Sequence, residues 1–263
     1  MTAPARFHTK SMVVTGAAQG IGKQVALEAA SDGARLTLVD RSPLVHEVAA
    51  EINKVHGQGQ AQSLEADLET WSGNEQAMAK AFRTYGAIDV LITNVGGAIW
   101  MKPFEEFGES EILAEINRSL FPTLWGCRAV LPYMYEQNRG AIVNVSSIAT
   151  KGLNRIPYSA AKGAVNALTA SMAFEIGARN IRINAVAPGG TTAPPRKVPR
   201  NAAKQTPQDK AWMQEVVDQT IRSSHMKRYG LLREMSAAIL FLASDAASYI
   251  TGTVLPVGGG DQG

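Results

Sequence analysis

Tyr158 and Lys162 stand four residues apart in Tyr-Ser-Ala-Ala-Lys. On a helix that spacing puts a phenol and an ammonium on one face. A free phenol titrates at about 10, too high for a base near neutrality. A nearby ammonium favours the ionised form. Such a pair can take a proton from an alcohol while its carbon is oxidised. The same two residue types recur at this spacing by chance, so the pair gains meaning only from its position. Ser146 and Ser147 lie upstream, at the end of an apolar run. A serine hydroxyl there can hold a substrate oxygen beside the phenol. Ser147 is the better candidate, and Ser146 reads as a strand-end hydrogen-bonding residue.

A second segment with chemistry is Thr15-Gly16-Ala17-Ala18-Gln19-Gly20-Ile21-Gly22, which follows the first apolar run and opens the first helical pattern. Gly16 permits a tight turn. Gly20, flanked by Gln19 and Ile21, lets backbone approach a pyrophosphate, and Gly22 lets the helix pack close to the strand. The free N–H groups and positive dipole end of that helix suit phosphates. The spacing is Gly-x-x-x-Gly-x-Gly rather than Gly-x-Gly-x-x-Gly. Asp40 ends the second strand, where a carboxylate accepts bonds from the adenosine ribose hydroxyls. Its charge would repel a 2′-phosphate, which favours NAD over NADP. Arg41 pulls the other way, and a plain turn residue is the alternative for Asp40. Asp67 is placed to bond an adenine edge, with the Leu68 N–H beside it, or to cap the next helix. Asn94-Val95-Gly96-Gly97 ends the fourth strand. Gly96 and Gly97 let backbone pass beside a nucleotide, and Asn94 can tie neighbouring strands. With a nucleotide in place, Lys162 also reaches the nicotinamide ribose.

These residues need a scaffold, and the apolar pattern supplies one. Strands are expected at Ser11–Thr15, Arg35–Val39, Ala61–Ala66, Ile88–Thr93, Ala141–Val145, Ile181–Val186 and Val254–Val257. Helices are expected at Ile21–Ser31, Leu44–Val55, Gly73–Thr84, from about Glu109 to Glu136, and at Tyr158–Gly177. Short Val/Ile/Leu-rich strands of this kind are buried on both faces, as in a parallel sheet. The alternation predicts an α/β protein with a doubly wound parallel sheet (Rossmann fold), one domain over residues 1–263. Every motif above then falls at a carboxyl end of the sheet. Thr191–Ser224 breaks the rhythm with Pro194, Pro195, Pro199 and Pro207. It reads as a substrate loop or lid, with a structural excursion as the alternative.

Composition narrows the rest. Of 263 residues, 45% are hydrophobic and 19% charged, with a net charge of +3. No run reaches the roughly 18–20 apolar residues that span a bilayer. Met1 to Lys10 lacks a signal-peptide pattern. The expectation is a cytoplasmic protein with no membrane partner. A single cysteine, Cys127, excludes an internal disulfide and reads as a small apolar residue on a buried helix. His8, His46, His56 and His225 are scattered, so no metal site is expected. Arg196, Lys197, Arg200 and Lys204 form the densest positive stretch. It is too local for nucleic acid and reads as a solvated loop or a site for a small anion.

Thr-Gly-x-x-x-Gly-x-Gly at 15–22, Asn94-Val95-Gly96-Gly97, Ser147, Tyr158-x-x-x-Lys162 and Pro188-Gly189 together resemble the short-chain dehydrogenase/reductase family, from about Ser11 to Gly260. The resemblance implies an NAD(P)-dependent alcohol dehydrogenase, usually a homotetramer. It implies Ser147, Tyr158 and Lys162 as the catalytic set, with Pro188, Gly189 and Thr191 beside the nicotinamide. Two departures stand out. Asn94-Val95-Gly96-Gly97 replaces the common Asn-Asn-Ala-Gly. Ser119 holds the register where the family often has an asparagine supporting a proton-relay water. Asn117 lies two residues off that register, about 200° around the helix, so Ser119 is the residue placed to hold such a water. The Ser147-to-Tyr158 spacing is also shorter than is common.

A narrower resemblance rests on Ile99-Trp100, Lys102-Pro103-Phe104-Glu105-Glu106, Arg118-Ser119-Leu120-Phe121-Pro122-Thr123-Leu124-Trp125 and Ala187-Pro188-Gly189-Gly190-Thr191 with Ala193-Pro194-Pro195-Arg196. These look like the benzoate and toluate cis-dihydrodiol dehydrogenases. The implied substrate is 1,6-dihydroxycyclohexa-2,4-diene-1-carboxylate, a carboxylated cyclohexadiene diol oxidised to catechol with loss of CO₂. Its carboxylate would pair with Arg155, Arg196 or Arg200, since a guanidinium bonds it bidentately. Each is otherwise a solvated charge. Trp100 either flanks the ring or simply packs. The rival readings are another short-chain alcohol dehydrogenase or 3-oxoacyl reductase, and a nucleotide sensor without catalysis.

Overall fold

The computed structural model describes residues 5–263. Strands β1 (Ser11–Thr15), β2 (Arg35–Asp40), β3 (Ala61–Glu65), β4 (Val90–Thr93), β5 (Gly140–Val145) and β6 (Ile181–Pro188) alternate with helices. The helices are α1 (Gly20–Ser31), α2 (Leu44–His56), α3 (Trp71–Tyr85), α4 (Glu109–Ser119), α5 (Phe121–Gln137) and α6 (Ile156–Ile176). After β6 come β7 (Thr191–Thr192), α7 (Pro207–Ser223), β8 (Gly230–Leu231), α8 (Leu232–Ala243) and β9 (Val254–Val257). Seven strands form one parallel sheet in the order β3-β2-β1-β4-β5-β6-β9. β1 pairs with β2 on one side and β4 on the other. The strand order reverses there, and that is where α/β sheets open a ligand crevice.

The sheet is apolar on both faces because successive side chains point to opposite sides. Met12 and Val14 of β1 join Val90 and Ile92 of β4 in a core shared with α1, α2 and α8. Val13 and Leu91, one residue out of phase, join Ile142 and Ile183 under α3, α5 and α6. Burial on two faces accounts for the unbroken apolar strands read from sequence. Cys127 is buried on α5, and its thiol, pushed up to about 12 by burial, donates to Asn144 Oδ1. Among the described residues, no helix is long and apolar enough to cross a membrane.

Several expected boundaries shift. The helical stretch from Glu109 to Glu136 is two helices, broken at Leu120. Pro122 has no N–H for the Arg118 carbonyl, so the first helix cannot run on. β4 starts at Val90 rather than Ile88, because the Ile88 N–H is taken by Gln137 Oε1 at 2.8 Å. Half of the 191–224 segment is not a loop: residues 207–223 form α7. Its start was readable, since Thr206 Oγ1 accepts from the Asp209 N–H at 3.1 Å and Pro207 opens the helix. Helix α8 escaped the sequence reading altogether, although Ile239 and Leu240 are fully buried.

Candidate active site

A cleft of about 710 Å³ opens at the carboxyl ends of the strands, a size suited to a small ligand plus cofactor. Its floor at one end is the glycine loop. Gly20 has φ +61°, and nothing lies within 4 Å of where a Cβ would stand. Backbone there is open to an approaching group. A Cβ on Gly22 would lie 2.2 Å from the Gly16 carbonyl oxygen, so only glycine lets α1 sit this close to the strand end. No side chain caps the first turn of α1, which leaves its N–H groups to a ligand. Asn94 braces the loop. Its N–H donates to Thr15 Oγ1 at 2.9 Å, and its Nδ2 donates to the Thr15 and Gly16 carbonyls, both at 3.2 Å. This cradle fits a dinucleotide pyrophosphate.

The Asp40 carboxylate accepts from the Ala18 N–H at 3.1 Å and the Ser42 N–H at 3.0 Å, and it faces the same cleft. Asp67 accepts from the Glu69 N–H at 3.0 Å. The cap of α3 is Thr70, not Asp67, because Thr70 lies directly before the first helical residue. Leu68 is buried and lines the cleft beside Asp67. Gly96, Pro188, Gly189 and Thr191 line its middle, with Ile21 at the glycine loop. Gln19 does more than flank Gly20. Its Nε2 donates to the Val198 carbonyl at 2.9 Å, and its Oε1 accepts from the Lys197 N–H at 3.1 Å. One amide thus clasps the glycine loop to the segment after β7.

Tyr158 enters the cleft from the first turn of α6, with Ser147 across from it at the end of β5. The two serines differ in environment. Ser146 Oγ turns away, donating to the Lys162 carbonyl at 3.2 Å and bonding Asn166. Ser147 Oγ accepts only from the Ala149 N–H at 3.0 Å, so its hydroxyl proton is free for a ligand in the cleft. Lys162 is 2% exposed, and its Nζ donates to the Val145 carbonyl at 2.7 Å. Burial, and secondly the like charge of Arg200, bring its ammonium down to about 7. Arg200→Ala removes the like charge and is expected to raise the titration of Lys162. The pH dependence of lysine modification at this position, read by mass spectrometry, measures it. An unchanged or lower midpoint would contradict this electrostatic picture.

Helix α4 holds the strip after β4 from behind. Ser119 Oγ accepts from the Gly97 N–H at 3.4 Å, and Glu115 Oε1 accepts from the Ile99 and Trp100 N–H groups at 2.7 and 3.0 Å. Both side chains are fully buried and neither lines the cleft. Trp100 does not line it either; Met101 does. The three arginines take separate places. Arg196 lies near Asp40; burial and Arg200 bring it down to about 10, against the pull of that carboxylate. Arg200 packs on Gly97, whose absent Cβ would lie 2.4 Å from the guanidinium carbon. Arg155, three residues before Tyr158, shares its cleft wall with Tyr229, Gln219 and Asp261. Its Nε is buried with no hydrogen-bond partner.

Residues that the sequence reading passed over complete the cleft. Met213, Val216 and Thr220 of α7, with Tyr229, also line the cleft. An amphipathic reading of 207–223 would have found the first three. Arg118, which opens the Arg118–Trp125 segment noted above, and Glu69 also line the cleft, and no local pattern points to Glu69. The whole arrangement offers a phosphate cradle, a phenol with a buried ammonium one turn on, a free serine hydroxyl, and a guanidinium. That is a toolkit for oxidising an alcohol held beside a nucleotide.

Comparison with known proteins agrees with this geometry. A family model described as short chain dehydrogenase matches residues 10–204. The chain is 60% identical to 1,6-dihydroxycyclohexa-2,4-diene-1-carboxylate dehydrogenase of Acinetobacter baylyi (strain ATCC 33305 / BD413 / ADP1), with 100% of both chains covered. It is 57% identical to the enzyme of the same name from Pseudomonas putida, covering 98% of this chain and 94% of that one. A solved 7α-hydroxysteroid dehydrogenase, complexed with NADH and 7-oxo glycochenodeoxycholic acid, superposes with a TM-score of 0.81 at 27% identity. The match covers 98% of this chain and 96% of that one. Fold, cleft and full-length kinship converge, and the chain belongs to the short-chain dehydrogenase family of oxidoreductases.

Proposed function

We propose that this chain oxidises 1,6-dihydroxycyclohexa-2,4-diene-1-carboxylate with NAD⁺, giving catechol, CO₂ and NADH. The observation that carries the reading is full-length identity of 60% to a dehydrogenase of that name. The cleft supports it by gathering Asp40, Ser147, Tyr158 and Lys162, with Arg155 beside the tyrosine. Gly16, Gly20 and the first turn of α1 would hold the pyrophosphate, Asp40 the adenosine ribose, and Lys162 the nicotinamide ribose. NAD⁺, when bound, supplies the acceptor for the hydrogen and electron pair that leave the carbinol carbon.

The chain's own groups do the rest. Ser147 holds the hydroxyl of the secondary carbinol, the one ring alcohol whose carbon bears a hydrogen. Tyr158 takes the hydroxyl proton as the C–O bond becomes a carbonyl. Lys162 stabilises the charge that moves between phenol and alcohol. Arg155 pairs with the substrate carboxylate and fixes the ring. Pro188, Gly189 and Thr191 border the nicotinamide position. The resulting ketone is β to the carboxylate, so the bond from ring carbon to carboxylate breaks, CO₂ departs, and the electron pair stays on the ring as an enolate. Protonation of that enolate on oxygen gives catechol directly, because its ring already holds three conjugated double bonds. The gain of aromaticity drives this stage, and no further protein group is required for it.

Purified protein with NAD⁺ and the diol acid is expected to yield NADH, catechol and CO₂ in equal amounts. NADH without catechol would leave an alcohol dehydrogenase of another specificity. No turnover across a panel of secondary alcohols would overturn the enzymatic reading.

A further inference from the structure

At the adenosine end of the cleft three charged side chains form a chain of contacts. Arg41 directly follows Asp40, and its Nη1 lies 3.6 Å from Glu69 Oε1. Arg118 of α4 approaches the same oxygen, with its Nε at 2.5 Å. All three line the cleft together with Asp40. The anchor of this group is the less exposed arginine: the Arg118 side chain is 17% exposed, against 47% for Arg41. The Glu69 backbone is held as well, since its N–H donates to Asp67 Oδ1. The carboxylate is held by the less exposed Arg118, and the more exposed Arg41 lies at its outer side.

This geometry bears on cofactor choice. A guanidinium at the end of β2 is well shaped to grip a ribose 2′-phosphate, because its planar fork matches the phosphate oxygens. Left free, Arg41 would counteract the discrimination that Asp40 provides. We propose that Glu69 is a specificity-determining residue for the cofactor: held by Arg118, it occupies Arg41 and turns a phosphate-binding residue into a neutral bystander. NAD⁺ preference then has two layers. Asp40 repels the 2′-phosphate, and Glu69 withholds the group that would attract it. The proposal rests on the NAD⁺ reading above.

The test measures binding of 2′,5′-ADP and 5′-AMP by calorimetry, and kcat/KM with NADP⁺ and NAD⁺, for the wild type and three variants. Glu69→Gln keeps the shape and removes the charge. An exposed pair is worth at most about 1 kcal/mol, so the preference for the 2′-phosphorylated ligand is expected to rise about 5-fold. In Glu69→Gln/Arg41→Ala the gain should vanish, because Arg41 is the group released. In Glu69→Gln/Arg118→Ala it should persist, because Arg118 only anchors. A gain that survives loss of Arg41 would overturn the proposal, as would an unchanged ratio in Glu69→Gln. The binding ratio is independent of turnover, so it answers even where the diol is not oxidised. A wild type that prefers NADP⁺ would instead overturn the NAD⁺ reading. A Glu69→Gln variant that unfolds, seen as a lost thermal transition, is replaced by Glu69→Ala, for which the same ratios decide.

Discussion

Tyr158→Phe is expected to lower kcat by about 10²–10⁴-fold, the range typical of a lost general acid or base. The substitution removes one oxygen and leaves the ring. Tyr158 sits on the first turn of α6, whose packing depends on Pro157, Ala161 and Val165, all buried, so the helix has no reason to move. The hydroxyl is the only part of Tyr158 that can carry the alcohol proton. Neither neighbour can replace it. The hydroxyl of Ser147 has no base behind it, since its oxygen accepts from a backbone N–H. Lys162 is buried, with its ammonium on the Val145 carbonyl. In the proposed binding mode the glycine loop, Asp40 and Lys162 hold the cofactor, so the dissociation constant for NADH should change little. Stopped-flow turnover and a fluorescence titration of NADH separate the two effects. Retained turnover would remove Tyr158 from its role. Lost NADH affinity would mean that the ring, not the hydroxyl, had been disturbed.

Arg155→Ala carries the second large effect. Arg155 presents a buried donor without a partner, three residues before Tyr158. Its Nε is packed away from the cleft, and its Nη2 makes one long bond, 3.4 Å to Gln219 Oε1, which a carboxylate in the cleft can replace. Burial holds its guanidinium below the ordinary value, and Tyr158, Tyr229 and Asp261 oppose that. It nonetheless stays charged at neutral pH. A charge-assisted bond to the substrate carboxylate is worth about 1.5–3 kcal/mol. Its loss should therefore cut kcat/KM for the diol acid by roughly 10–150-fold. An uncharged cis-diol lacks the carboxylate and should lose far less. Equal losses on both substrates would show that Arg155 supports the wall rather than the carboxylate. Arg200→Ala and Arg196→Ala are the natural controls. Arg196 lies near Asp40, and Arg200 packs on Gly97 with its charge acting on Lys162, so losing either should affect acid and neutral diol alike rather than discriminate between them as Arg155 does.

Sequence reasoning succeeded where chemistry depends on near neighbours along the chain. The glycine loop is legible because a tight turn, an open approach and a close helix packing each require glycine at a set spacing. Gly22, with no room for a Cβ beside the Gly16 carbonyl, is the clearest case. Tyr158 and Lys162 are legible because helical periodicity alone puts them on one face. The strands are legible because burial on both faces leaves an unbroken apolar run. The break at Leu120 was missed although Pro122 marks it. Helix α8 was missed because its packing on α1 has no counterpart in local sequence.

The sequence by itself determined the parallel sheet, the placement of the motifs at its carboxyl end, and the pairing of phenol with ammonium. Each follows from spacing within one turn or one strand. The tertiary structure decided which of Arg155, Arg196 and Arg200 stands beside Tyr158, which of Ser146 and Ser147 keeps a free hydroxyl, and that Ser119 lies behind the cleft wall. It also decided that Arg41 is held by Glu69, and Glu69 by Arg118. Those outcomes depend on side chains far apart in sequence meeting across the cleft, where a turn of a few degrees in one helix redirects a charge. No residue pattern along the chain encodes such a meeting; only the packed arrangement of α4, α6 and α7 around the sheet does.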